Sequence, residues 1–269
     1  MGYFRGICMK KKQPRTQGIA LKKKYGQHFL QDMHFIQSML DKVSIQGRSV
    51  FEVGPGQGVL TRTILKTDVA QLWAFEIDEE WVTYLKKDIQ DPRLTIMHTN
   101  ILDVDFLCFE ADKPWTLLAN LPYQITFPLL HRFFTFREML REGVIMIQEE
   151  VAQKIVATRG RDYGYSSLFF QYYFEWQLMD KVPPTAFYPA PKVYSRLIYF
   201  RPKETVQLIE QEDAFWTFIK TCFKQPRRTL KNNLQSTHYA IDRIPEHMLS
   251  ARAQQLDIDA LLALWKLIQ

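Results

Sequence analysis

Apolar residues along this chain recur in two periods. Phe35, Ile36, Met39, Leu40 and Val43 are spaced three and four apart, which predicts a helix over 34–43. From residue 49 onward, short apolar runs alternate with helical spacing. Strands are expected at 49–53, 72–77, 94–98, 115–121 and 143–148. Helices are expected at 59–65, from Asp78 as N-cap to about residue 89, at 127–136 and at 149–158. Two further runs rich in aromatic and branched residues, 168–176 and 196–201, read as strands. Such alternation predicts an α/β fold: a Rossmann-like, doubly wound, mostly parallel sheet of seven strands.

Arg201-Pro202 ends the alternation. Beyond it the pattern is helical only, with Phe215, Phe218, Ile219 and Cys222 on one face. Leu261, Leu262, Leu264, Trp265 and Leu267 repeat the spacing near the end. The expected organisation is a basic arm at 1–26, an α/β domain at 27–202 and a small helical C-terminal domain at 203–269.

Charge sharpens this division. Eight Lys/Arg and no acid fall in residues 1–26, leaving 27 basic and 29 acidic residues elsewhere. The cationic excess is therefore a local arm of the kind that neutralises nucleic-acid phosphates. Lys22, Lys23 and Lys24 close it, and a second basic cluster, Lys220, Lys224, Arg227, Arg228 and Lys231, interrupts the C-terminal helices. Both are candidate RNA contacts, although charged helix surfaces are also ordinary. No apolar run reaches the roughly 18 residues of a membrane span. Cys8, Cys108 and Cys222 are far apart, and the six histidines lack an HExxH spacing, so no metal site is signalled. A reduced, cytoplasmic setting is expected.

The first strand runs into EVGPGQGVLT, residues 52–61. Strand, glycine turn and helix start together make a crevice for an adenine-containing cofactor. Gly54, Gly56 and Gly58 permit close backbone approach. Glu76 ends the second strand, 18 residues after Gly58, where a carboxylate can accept both ribose hydroxyls. NAD would fit this outline, but GPGQG misplaces the third glycine for a pyrophosphate turn. Glu52 would repel a pyrophosphate yet suits a cationic methionine end, directly or through water. The third strand ends at Asn100 and Ile101, beside the expected adenine: Asn100 for its edge, Ile101 for its face.

The fourth strand ends in NLPY, residues 120–123. An adenine N6 amine is a poor nucleophile because its lone pair is delocalised into the ring. Acceptors on its two N–H bonds would stabilise the move toward tetrahedral geometry. The Asn120 side-chain oxygen and the Leu121 carbonyl, held by the rigid Pro122 turn, are placed for that. Tyr123 can stack on a flipped base. Phe187 or Tyr188, in the proline-stiffened VPPTAFYPAPKV segment (182–193), could close on the opposite face, Phe187 being the favoured ring. KKKYGQHFL at 22–30 joins the arm to the domain, with its lysines, Gln27, His28 and Phe29 placed to close over the cofactor and reach RNA.

YGQHFL, EVGPGQGVLT, Glu76-Ile77-Asp78, NLPY, VPPTAFYPAPKV and KQPRRTLKNNL at 224–234 occur in order over nearly the whole chain. Together they resemble the rRNA adenine N6-dimethyltransferase family. The resemblance implies an S-adenosylmethionine-dependent enzyme with the cofactor touched at Gln27, His28, Leu30, Gly54, Glu76, Asn100 and Asn120. Ile77 falls in the same cofactor motif. It also implies four methyl transfers to two adjacent adenosines in a hairpin near the 3′ end of small-subunit (16S) rRNA, within a partly assembled 30S subunit. A monomer is expected. The family usually has Asp where Asn100 stands; Asn keeps an acceptor. Gln124 follows NLPY where Asn or Tyr is usual. Two alternatives stand beside this: a large-subunit rRNA methylase of the macrolide-resistance type, and an assembly factor whose catalysis is dispensable.

Overall fold

The computed structural model describes residues 14–268. The basic residues Arg5, Lys10, Lys11 and Lys12 and the thiol of Cys8 lie outside that range, as does the side chain of Lys23.

The central element is one seven-stranded sheet: β1 (Ser49–Val53), β2 (Gln71–Glu76), β3 (Leu94–His98), β4 (Trp115–Asn120), β5 (Leu140–Gln148), β6 (Phe174–Val182) and β7 (Ser195–Pro202). Their spatial order is β3-β2-β1-β4-β5-β7-β6. The first five run parallel, while β7 is antiparallel to both its neighbours. The order of connection reverses at β1, between β2 and β4, and ligands of open α/β sheets bind at the carboxyl ends there.

Period-two alternation divides the interior. Val50, Leu72, Leu118, Val144 and Leu197 face α1 (Met33–Lys42) and α2 (Val59–Leu65). Phe51, Phe75, Leu117, Ile145 and Phe200 face the other side. There they pack with α4 (Thr126–Thr135), α5 (Glu149–Val156) and α6 (Tyr165–Tyr173). Between β2 and β3, α3 (Glu79–Asp88) starts where Asp78 accepts the Glu80 N–H at 3.2 Å, as its capping position predicts.

One expected strand is a helix. Residues 168–173 belong to α6, and β6 begins only at Phe174. A short, mostly aromatic run carries no clear period that separates a buried helix from a buried strand. Tertiary packing settles it. Phe169 stands 5.0 Å from Trp216 and 4.8 Å from Phe134, ring centre to ring centre. Ser167 accepts the Gly164 N–H at 3.1 Å and so caps the first turn.

The C-terminal helices α7 (Glu212–Cys222), α8 (Leu230–Leu234), α9 (Glu246–Leu249) and α10 (Ile258–Ile268) close on that same face. Phe215, Trp216 and Phe218 join the apolar cluster that contains Phe51 and Phe200. Trp216 Nε1 donates to the Tyr173 hydroxyl at 2.6 Å. The core is therefore continuous across residue 203.

Gly143 is the tight point of the sheet. A Cβ there would lie 2.7 Å from the Phe200 ring and 2.9 Å from the Leu117 carbonyl oxygen. Backbone cannot yield as a side-chain end can, so Gly143→Ala is expected to cost about 1–3 kcal/mol. A thermal melt should fall by roughly 2–12 °C. An unchanged midpoint would show that β4 and β5 separate freely.

Candidate active site

A cavity of about 290 Å³ opens at the carboxyl ends of β1, β2, β3 and β4. That is near the lower end of the roughly 300–1,000 Å³ usual for small-molecule sites. Gly54 and Gly56, both with positive φ, form one wall. Glu76 ends β2 beneath them. Its two oxygens accept the Asp78 N–H at 2.9 Å and the Gly56 N–H at 3.1 Å. The carboxylate is thereby fixed, with a lone pair left on each oxygen. Burial holds its pKa above the ordinary value.

Ile77 and Ile101 also line the cavity, one exposed and one buried. Asn100 lines it as well, but its amide is committed locally. Oδ1 accepts the Leu102 N–H at 3.2 Å and Nδ2 donates to Asp103 at 3.0 Å. An amide oxygen accepts twice, so one further bond is open to it.

The chain before α1 crosses this cavity as a strap. Lys22 Nζ pairs with Asp78 at 2.6 Å and Glu80 at 2.8 Å, and Gln27 Nε2 donates to Asp78 at 3.0 Å. Gln57 Nε2 donates to Thr16 at 2.6 Å. The His28 Nδ1 lies 2.7 Å from the Pro189 carbonyl oxygen. Leu30 and Phe29 pair with Phe187 and Tyr188 in a two-stranded ribbon. Two expectations change here. Lys22 is an ion-pair partner of the domain rather than a free phosphate ligand. The Gln27 amide, though in the cavity wall, holds the strap down. Phe29, expected to close over the cofactor, covers Gly56: a Cβ on that glycine would be 2.4 Å from its ring.

The NLPY corner faces the same cavity. Asn120, Leu121, Pro122 and Tyr123 all line it. Asn120 Nδ2 donates to the His28 carbonyl at 3.0 Å. The Leu121 N–H donates to Met146 at 3.1 Å, and Pro122 then turns the chain. The Tyr123 hydroxyl bonds Ser195 Oγ at 2.6 Å, and its ring lies 6.1 Å from that of His28, 22° from parallel.

Four residues stand elsewhere, among them Leu30, buried in the α1/α2 core and bordering only a smaller adjoining cavity. Phe187 is 5% exposed inside the α1/α2 core and does not reach the cavity, so the ring facing Tyr123 is that of His28. Its strand pairing with Leu30 turns it inward. Gly58 caps α2, where a Cβ would meet Leu85 at 2.6 Å. Glu52 lies in a small adjoining cavity of about 30 Å³ that shares Gly54, Phe29 and Asn120 with the main one. It accepts the Thr61 hydroxyl at 2.7 Å. Burial pushes its pKa up to about 8, offset by Thr61 and reinforced by Glu76.

The distal basic cluster is dispersed. The Lys220 ammonium lies 4.9 Å over the Tyr165 ring and Lys231 pairs with Glu246 at 3.3 Å. Lys224, Arg227 and Arg228 are exposed. Among the described residues, no His/Cys/Asp/Glu group could hold a metal ion, and no helix is long and apolar enough to cross a membrane.

A sheet of this order, with glycines, a fixed acid and apolar side chains around one cleft, fits S-adenosylmethionine. The carboxylate suits ribose hydroxyls, Ile77 and Ile101 suit an adenine ring, and the glycines admit a close backbone. The fold and cleft define an S-adenosylmethionine-dependent methyltransferase. Solved structures agree on the fold. A dimethyladenosine transferase from Plasmodium falciparum superposes with TM-score 0.75 at 22% identity, over 87% of this chain and 95% of that one. The 23S rRNA methyltransferase ErmE gives TM-score 0.71 at 21% identity, over 89% and 99%.

The chain belongs to the ribosomal RNA adenine dimethylase family, whose model matches residues 18–267. It is 35% identical over 247 residues to the ribosomal RNA small subunit methyltransferase A of Mycoplasma mobile, covering 88% of this chain and 94% of that protein. The protein of the same name from Geobacter metallireducens is 37% identical over 229 residues, covering 82% and 83%.

Glu52 supplies a pH test. Its folded pKa is raised from 4.5 to about 8, so its stabilising contribution is complete below the lower value and is lost as pH rises through the upper. Glu52→Gln stays neutral throughout. Its thermal midpoint should gain on wild type between about pH 5 and pH 9, by on the order of several degrees. A constant difference across that range would mean the carboxyl is not buried.

Proposed function

We propose that this enzyme dimethylates N6 of two adjacent adenosines in a hairpin near the 3′ end of small-subunit 16S rRNA, and that the NLPY corner carries the transfer. Bound S-adenosylmethionine supplies an electrophilic methyl group on a sulfonium. The protein supplies position and hydrogen-bond acceptors. The observation that carries this reading is the Asn120 amide: one N–H is bonded to the His28 carbonyl, which fixes the orientation of the amide and leaves its oxygen as the acceptor for an amine. Asn120 Oδ1 and the Leu121 carbonyl would each accept one N6 hydrogen, favouring the pyramidal nitrogen. No side-chain base is required, because the methylated ammonium is acidic and passes its proton to water. After one transfer a single N–H remains, and one acceptor suffices to orient it.

The remaining assignments follow the cleft. Glu76 takes the ribose hydroxyls, Ile77 and Ile101 clamp the cofactor adenine, and Asn100 reaches its edge. Tyr123 offers a face to the target base. Lys24, 4.5 Å over the Tyr25 ring at the cavity rim, and the exposed Lys224, Arg227 and Arg228 supply phosphate contacts. The partly assembled 30S subunit is the substrate, the protein acts as a monomer in the cytoplasm, and the C-terminal helices serve as its rRNA grip.

Incubation with labelled methyl donor and unmethylated small and large subunits in parallel, followed by nucleoside mapping, tests the reading. Two adjacent dimethyladenosines in 16S rRNA are expected. Label on large-subunit rRNA instead would favour the macrolide-resistance type. Asn120→Ala should lower turnover by on the order of 100-fold or more, with cofactor affinity little changed. Asn120→Asp keeps the acceptor and loses the donor to His28, so it should fall between. Wild-type turnover in the alanine variant would defeat the acceptor role.

Removal of residues 1–13 deletes Arg5, Lys10, Lys11 and Lys12. The slope of log affinity against log salt should flatten by roughly 0.7–0.9 for each phosphate left without its cation. An unchanged slope would make the arm a bystander.

A further inference from the structure

Three exposed large apolar side chains crowd the loop between β6 and β7: Tyr188 at 40%, Val193 at 44% and Tyr194 at 49% exposure. A single exposed tyrosine is ordinary. This loop, however, is tied to the catalytic corner at two points. The Pro189 carbonyl meets His28 Nδ1 at 2.7 Å, and Ser195, next to Tyr194, meets the Tyr123 hydroxyl at 2.6 Å. The Glu149 N–H donates to the Tyr194 carbonyl at 3.0 Å, which fixes the backbone under the ring.

The ring also has an electrostatic partner. The Lys181 ammonium lies 4.5 Å over its centre. With a cation on one face, the exposed area belongs to the opposite face and the edge. Lys181 and Lys192 are both exposed. The Glu149 carboxylate is neutralised by Arg196 at 2.6 and 2.8 Å, so it does not oppose a phosphate.

We propose that Tyr194 is a positioning residue that stacks on the neighbour of the adenosine held at Asn120, while Lys181 and Lys192 take the flanking phosphates. A base drawn out of its stack leaves its neighbour with an uncovered face. An aromatic ring beside the cleft covers it without regard to base identity or N6 methylation. The two target adenosines therefore exchange places: one enters the cleft while the other waits on Tyr194. This rests on the two-adenosine reading above.

Steady-state methylation of unmethylated small subunits by the full chain tests it. Tyr194→Ala should raise KM for the subunit roughly 5- to 100-fold, the equivalent of losing one stacked base. kcat, cofactor affinity and thermal midpoint should hold. Tyr194→Phe keeps the ring and should restore KM. Lys181→Ala and Lys192→Ala should each flatten the salt dependence of KM by roughly 0.7–0.9 in log–log slope. An active wild type with unchanged KM in Tyr194→Ala overturns the inference alone, as does a phenylalanine variant no better than alanine. Wild-type inactivity on small subunits overturns the proposed function itself.

Discussion

A carbonyl oxygen can only accept, and that constraint sets the chemistry of the cleft. The His28 carbonyl faces Asn120 at 3.0 Å and therefore takes its Nδ2 end. The amide cannot then rotate its nitrogen toward an incoming amine without breaking a bond to the strap. His28 is in turn held at Pro189, and the strap is clamped by Lys22 and Gln27 on Asp78. The segment crossing the cavity is thus more than a cover: it decides which end of the Asn120 amide is turned to the strap. A side chain at the sheet terminus depends on residues about ninety positions earlier in the chain.

The same economy governs the acids. Glu52 and Glu76 lie near the glycine turn, both buried, and the charge of Glu76 adds to the cost of ionising Glu52. Glu76 is held by two backbone N–H groups, which oppose the upward push of burial on its pKa. Glu52 is held by Thr61, and its pKa of about 8 leaves it largely protonated at neutral pH. Two glycines of the turn between them leave no room for a Cβ: Phe29 closes on Gly56 from the strap side and Leu85 on Gly58 from α3. Strap, turn and acids form a single packed unit.

Much of this was legible in the residues alone. The parallel strands, their capped helices and the order of motifs follow from period and spacing, because each segment buries one face. What escaped follows from long-range packing. Residues 168–173 read as a strand because a short, mostly aromatic run carries no clear period; packing against Trp216 and Phe134 makes it a helix. Phe187 was expected against the base, yet pairing with Leu30 turns it inward and leaves Tyr188 outside. Lys22 counted as one cation of an arm, but Asp78 and Glu80, more than fifty residues away, claim it. Composition places charges along a chain; only the fold pairs them.

The most direct measurement of the central claim is a crystal structure with adenosine and a non-transferring analogue of the methyl donor in the cleft. The account requires the adenine N6 within hydrogen-bonding distance of both Asn120 Oδ1 and the Leu121 carbonyl, with Tyr123 against the ring and the His28–Asn120 bond intact. An N6 directed away from that corner, or an Asn120 turned with its oxygen toward His28, would contradict it.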